Sequence, residues 1–216
     1  GAQVQIGHDA AHLDGVDIVV YSNAISESNP EIKRAQELGL PLLTRAQALA
    51  ILMSASKSLA VAGTHGKTTT SSMLTVALQA CGTDPSFAIG GTLTASGSNA
   101  HRGTGEFFVA EADESDGSFL EYRPFSAIVT NVEHDHVDFF ATEESVMDIF
   151  TEFAQSINPE GFFIYCKDDL GAQKIAATEF SATKISYGQD EGADLLIDNI
   201  KLLPGGSKAR ALWKGK

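Results

Sequence analysis

The residues best suited to chemistry lie in "GTHGKTT", Gly63 to Thr69, within the longer run "SLAVAGTHGKTTTSSMLTVAL". A glycine turn between two apolar runs can wrap backbone N–H groups around a phosphate at the positive end of the helix that follows. In that frame Lys67 reaches the β- and γ-phosphates and the Thr68 hydroxyl meets Mg²⁺, while Gly63, Thr64, His65, Gly66 and Thr69 complete the nucleotide-binding set. His65 could touch phosphate or a sugar substrate. Thr68 to Ser72 are five hydroxyl residues in a row where a helix should begin. Such residues compete for backbone hydrogen bonds in a helix interior but serve well at a first turn, as caps or as ligand contacts. The strict pattern G-x-x-x-x-G-K-[ST] fails at its first glycine, where Val61 stands.

Two further stretches turn abruptly from apolar to polar: "EFFVAEADESD" and "FSAIVTNVEHDHVDFF". Each reads as a strand with chemistry at its end. An apolar strand closing on a carboxylate is how phosphate-loop proteins hold Mg²⁺, which points to Glu111. His136 in the second stretch reads, from its surroundings alone, as a surface or hydrogen-bonding histidine, because imidazole is an unusual ligand for so hard a cation. His134 and Asp135 read as solvated neighbours.

Strands and helices alternate along the chain. A strand over Ile18–Tyr21 precedes a helix opened by Pro30 and closed by Gly39, and Thr44 caps a helix running to about Ala55. Strand Leu59–Ala62, the glycine turn and helix Thr68–Ala80 follow, and Gly90 to Gly105 reads as a glycine- and serine-rich loop. After the two acidic strand ends, Thr142 caps a helix to about Ile157, followed by strand Phe162–Cys166, a helix over Leu170–Ala177 and strand Lys184–Tyr187. The tail forms two strands joined at Gly205-Gly206. This alternation predicts an α/β fold with a mostly parallel sheet covered by helices on both faces, its ligands outside the carboxyl ends of the strands. The division expected is 1–56, a short βα part, and 57–216, the phosphate-loop domain.

Composition narrows the function classes. The net charge is −13, and from Glu106 to Glu160 there are fourteen acids and one base, Arg123. A nucleic-acid binder needs a basic stripe, so that class is set aside. No apolar run approaches the ~18 residues of a membrane span, so a soluble, cytoplasmic protein with no membrane partner is expected. Cys81 and Cys166 show no ligand spacing and are expected in the core of a reduced protein.

The compact G-T-x-G-K-T turn, together with "EADESD" and "SNAISESNPEI", resembles the Mur ligases, and the likeness runs over nearly the whole chain. The resemblance implies an ATP-dependent ligase that makes an amide in peptidoglycan precursor synthesis, with ATP and Mg²⁺ as cofactors. Ser115 stands where the murein peptide branch usually carries Tyr, which favours the alanine-adding branch with UDP-N-acetylmuramate and L-alanine as substrates. No lysine occurs between Arg123 and Lys167, so the carbamylated metal-binding lysine of later-acting members is absent.

The family's metal-binding Glu and His fall on Glu111 and His136. With Lys67 these form the expected catalytic set, and Thr68, Glu111 and His136 the metal set. Ser22, Asn23, Asn99 and Arg102 are candidates for the nucleotide-sugar substrate. The family has a glycine-rich segment before the equivalent of Gly1, and an adenine-binding helix and a further domain after that of Lys216. The resemblance therefore implies a fragment, the C-terminal part of a Rossmann-like UDP-substrate-binding domain over 1–56 and an incomplete central ATP-binding domain over 57–216, expected to be inactive by itself because those contacts lie elsewhere. A murein peptide ligase, an unrelated phosphate-loop enzyme and a non-catalytic nucleotide-binding module remain the alternatives.

Overall fold

The computed structural model describes residues 2–135 and 139–216. The chain forms two compact units, Gly1–Leu52 and Met53–Lys216.

In the first unit a 3-10 helix, Ala10–Leu13, leads to β1 (Val19–Tyr21), α1 (Pro30–Leu38), β2 (Leu42–Thr44) and α2 (Arg45–Met53). The two strands pair in parallel, Val19 opposite Leu42 and Tyr21 opposite Thr44. α1 starts and stops where its sequence dictates. Asn29 accepts the Glu31 N–H at 2.8 Å, Pro30 needs no N–H partner in the first turn, and Gly39 takes the left-handed conformation that ends the helix. Thr44 and Gln47 exchange side-chain and backbone hydrogen bonds at the start of α2.

The second unit is built on nine strands: β3 (Lys57–Ala62), β4 (Ser86–Leu93), β5 (Ser98–His101), β6 (Phe107–Glu111), β7 (Ser126–Val129), β8 (Phe162–Cys166), β9 (Thr183–Gly188), β10 (Leu195–Leu203) and β11 (Gly206–Trp213). Their order in the sheet is β11-β10-β9-β8-β7-β3-β6-β4-β5. All neighbours are parallel except the outermost pairs, β4 with β5 and β10 with β11. The helices are α3 (Lys67–Ala80), α4 (Glu143–Gln155) and α5 (Leu170–Ala176).

The connection through α3 moves toward one edge of the sheet, while those through α4 and α5 move toward the other. Right-handed crossovers in opposite directions put α3 on one face and α4 with α5 on the opposite face, as the alternating pattern predicted. Under α3, Leu74 and Leu78 pack against a cluster of Phe87, Ile89, Leu93 and Val109. Beside α4, Phe119 stacks on Phe153 at 4.6 Å and meets Phe150 edge-on at 5.5 Å.

Two expectations are corrected. The segment from Gly90 to Gly105 is not a loop throughout: β4 runs through Gly90 and Gly91 and β5 returns antiparallel to it. Cys81 is exposed and Cys166 half-buried, because Cys81 sits at the C-cap of α3, past the face that meets the sheet. A 3-10 helix, Ser118–Tyr122, also interrupts the acidic stretch after β6.

Candidate phosphate and metal site

β3 and β7 are neighbours whose following connections depart in opposite directions, so their carboxyl ends open a crevice at the switch point of the sheet. The glycine turn after β3 occupies it. Gly63 has φ 129°, and a Cβ there would stand 2.2 Å from Thr130 Oγ1 and 2.9 Å from the Asn131 carbonyl oxygen. Only glycine lets the loop lie so close to the end of β7. That end then pins the loop. Asn131 O accepts the Thr64 N–H at 3.1 Å, Asn131 Oδ1 accepts the His65 N–H at 2.8 Å, and Asn131 Nδ2 donates to His65 O at 3.0 Å. The Thr64 hydroxyl accepts the Glu133 N–H at 2.9 Å.

Gly66, at φ 83°, is the N-cap of α3 and provides no side-chain cap. Thr64, His65, Gly66, Lys67, Thr68, Thr69 and Glu111 line a cavity of about 330 Å³ at this helix start. Hydroxyls of α3 take two roles. Thr68 Oγ1 donates to Glu111 Oε1 at 2.9 Å. Ser71, Ser72 and Thr75 instead bond back to carbonyls of their own helix, which satisfies hydroxyls where α3 lies close on the sheet.

Glu111 ends β6 level with Val61 of β3. Its other oxygen, Oε2, accepts the Gly90 N–H at 2.7 Å. A Cβ on Gly90 would meet that oxygen at 2.8 Å, and one on Gly91 would meet Thr68 Cγ2 at 2.7 Å. The glycine pair therefore gives β4 clearance beneath the Thr68–Glu111 pair. A hydroxyl and a carboxylate are the hard oxygen donors Mg²⁺ takes, usually beside water and substrate phosphates. Among the described residues no group of three His, Cys, Asp or Glu could hold a metal by itself.

Lys67 is turned back on its own loop. Its Nζ donates to Gly63 O at 2.8 Å and Thr64 O at 3.3 Å, and pairs with Glu114 at 2.9 and 3.1 Å. The Glu114 side chain is only 2% exposed. Sequence reasoning passed over Glu114, Asn131 and Gly90: the first is one of four acids in "EADESD", and the other two matter through contacts made across the sheet.

The remaining candidates scatter. His136 lies outside the described residues, and His134 bonds the Phe140 carbonyl at 3.1 Å. His65 is exposed, with its ring 3.9 Å from Glu133. Asn99 is exposed on edge strand β5. Arg102 is not brought to the loop. β5 runs antiparallel to β4 and pairs His101 with Phe87, so Arg102 follows at the opposite end of the sheet from Glu111. Ser22 and Asn23 follow β1 in the first unit, where Ser22 Oγ accepts the Ala24 N–H at 3.3 Å.

Comparison with known proteins agrees with this architecture. Residues 61–216 match the Mur ligase middle domain, and residues 1–57 match the Mur ligase family, catalytic domain. A UDP-N-acetylmuramate–L-alanine ligase from a Nocardioides species is 55% identical over 82% of this chain and 40% of its own length. The enzyme of that name from Acidothermus cellulolyticus is 49% identical over 100% of the chain and 46% of its own length. The chain thus spans under half the length of these relatives. Among solved structures, UDP-N-acetylmuramate:L-alanyl-gamma-D-glutamyl-meso-diaminopimelate ligase from Neisseria meningitides superposes with a TM-score of 0.82 at 29% identity, over 97% of this chain and 69% of that one. UDP-N-acetylmuramate–alanine ligase from Thermotoga maritima shares the fold, with a TM-score of 0.81 at 23% identity, over 98% of this chain and 47% of that one. Matched in both its parts and close to half identical to relatives along its length, the chain belongs to the Mur ligase family.

Proposed function

We propose that this chain carries the phosphate and metal site of an ATP-dependent ligase that joins L-alanine to the lactyl carboxylate of UDP-N-acetylmuramate. The observation that carries the phosphate site is the uncapped start of α3, with Lys67 and the Thr68–Glu111 pair around one cavity. The substrate assignment draws on relatives of 48 to 55% identity that bear that name. The alanine-adding reading is preferred because these relatives are about half identical to the chain, whereas the solved L-alanyl-gamma-D-glutamyl-meso-diaminopimelate ligase from Neisseria meningitides is 29% identical.

In this reading the γ-phosphoryl group of ATP passes to the lactyl carboxylate, and the alanine amine displaces phosphate from the acyl phosphate. The protein's part is positioning and charge neutralisation. First-turn N–H groups of α3 and Lys67 hold the polyphosphate. Thr68 and Glu111, with His136 as third donor, would hold Mg²⁺, which neutralises charge on the transferring group. Residues 57–216 form the ATP-binding domain and 1–56 contribute to binding the UDP-sugar, with Ser22 and Asn23 toward the uridine nucleotide and His65 and Asn99 toward the sugar. Arg102 drops out of this set. The setting is cytoplasmic, where these small substrates meet.

Lys67→Ala alone takes from the buried Glu114 carboxylate the ammonium it pairs with, and breaking a buried ion pair from one side costs about 3–5 kcal/mol. The substitution is therefore made together with Glu114→Gln in the full-length gene product. Alanine-dependent phosphate release is expected to fall by about two to three orders of magnitude relative to Glu114→Gln alone. Undiminished release by the double variant, or release that ignores alanine, refutes the reading.

A further inference from the structure

The Lys67 ammonium has three hydrogens, and at least four acceptor atoms crowd it: the Gly63 and Thr64 carbonyls and both Glu114 oxygens. The cation meant for the cavity is committed to the protein. An incoming phosphate gains it only by displacing one of these acceptors, and in doing so brings negative charge toward a carboxylate that has lost its water.

Glu114 is poorly placed to move aside. Its carbonyl accepts the Gly117 N–H at 2.9 Å, closing a turn in which Gly117 has φ 72°. A Cβ on Gly117 would stand 2.9 Å from Ile149 Cδ1, so α4 backs that turn. The flexible partner is the lysine stem.

We propose that Glu114 is a specificity-determining residue that parks Lys67 in the empty loop and sets a charge threshold for entry. A polyphosphate, with several oxygens on the α3 N–H groups at once, outcompetes the carboxylate for the ammonium; a single phosphate does not. The proposal rests on the phosphate-loop reading above. It explains why a buried acid holds the cation of a site for anions, where a neutral acceptor would orient the lysine without repelling the ligand.

The test is calorimetric titration of the 216-residue chain with inorganic phosphate and with pyrophosphate, Mg²⁺ omitted so that protein groups alone are read. Wild type, Glu114→Gln and the double variant Lys67→Met/Glu114→Gln are compared, each checked for native circular dichroism. Glu114→Gln is expected to bind phosphate about tenfold more tightly, narrowing the margin between pyrophosphate and phosphate. The double variant is expected to lose that gain, because the effect acts through Lys67. An unchanged margin in Glu114→Gln, with pyrophosphate still bound, overturns the threshold and leaves the phosphate loop standing. A wild-type chain that binds no pyrophosphate overturns both. Should Glu114→Gln not fold, the ¹⁵N signal of the Lys67 ammonium is followed in wild type. It is expected to shift with pyrophosphate and not with equal phosphate; a shift with both or with neither overturns the proposal.

Discussion

Helices α3 and α4 begin in opposite ways. At α4, Thr142 Oγ1 accepts the Ser145 N–H at 3.2 Å, the Ser145 hydroxyl accepts the Thr142 N–H at 3.4 Å, and Glu143 and Glu144 place negative charge in the first turn. Each feature satisfies the free N–H groups and the positive end of the helix dipole from within. At α3 the cap is Gly66, no side chain caps the helix, and the first turn holds no acid but a lysine. Taken alone, that start is unfavourable. The difference teaches how a binding site is recognised physically: a helix whose sequence withholds its own cap and adds like charge at its positive end leaves the satisfaction of those groups to an anion from outside.

The largest way to break this contrast is to displace the loop that presents α3. In Gly63→Ala the new Cβ lands 2.2 Å from Thr130 Oγ1 on a residue at φ 129°. Either the loop or the end of β7 must shift. Pyrophosphate binding is expected to disappear and stability in urea to fall by about 2–4 kcal/mol. Retention of both would mean that the close approach to β7 is unimportant.

Much of this contrast was legible in the sequence, and the exceptions have physical causes. Thr142 before an apolar-periodic run and Asn29-Pro30 before another are local signals, and the helices start where those signals stand. β8 lies at Phe162–Cys166, where its apolar run predicts it. The glycines at 90 and 91 read as a loop because glycine usually punctuates; here they clear space for Thr68 and Glu111, a need that arises only once β4 lies beside β6. Glu114 looks like its acidic neighbours until the turn at Gly117 folds it inward against Lys67. Arg102 stands just before the acidic strand in the chain, yet the reversal of β5 carries it to the far end of the sheet.

Two substitutions sharpen the comparison from either side. Thr142→Ala removes the capping box of α4 and is expected to lower stability by about 1 kcal/mol in urea while leaving pyrophosphate affinity unchanged. A change in affinity would show that the two helix starts are coupled. Thr69→Glu gives the exposed first turn of α3 the acid that α4 already has. The unliganded chain is expected to gain roughly 0.5 kcal/mol, since a carboxylate near a helix N-terminus is favourable, and pyrophosphate binding is expected to be lost. Binding that survives would place the anion away from this turn.

The smallest effect concerns a third helix start. α1 resembles α4 in carrying both a side-chain cap, Asn29, and an acid in its first turn, Glu31. Glu31 has an added feature: His8 Nδ1 lies 2.8 Å from one of its oxygens and His12 Nδ1 2.7 Å from the other. Hydrogen bonds from His8 first and His12 second hold the Glu31 carboxyl below its ordinary value of 4.5, against a small opposing effect of burial. A carboxyl whose folded pKa is depressed adds stability that is present above its unfolded pKa and is lost as pH falls through the lower, folded value. The pairs are open enough to water that screening keeps this contribution small. Wild type is thus expected to exceed Glu31→Gln slightly in urea stability near neutral pH, and the difference is expected to fade as the pH drops below the carboxylate range. Carboxyl ¹³C NMR should place the Glu31 midpoint below 4.5. A midpoint above that value, or a stability difference that grows on acidification, would show that the two histidines do not complement this helix start as Glu143 and Glu144 complement that of α4.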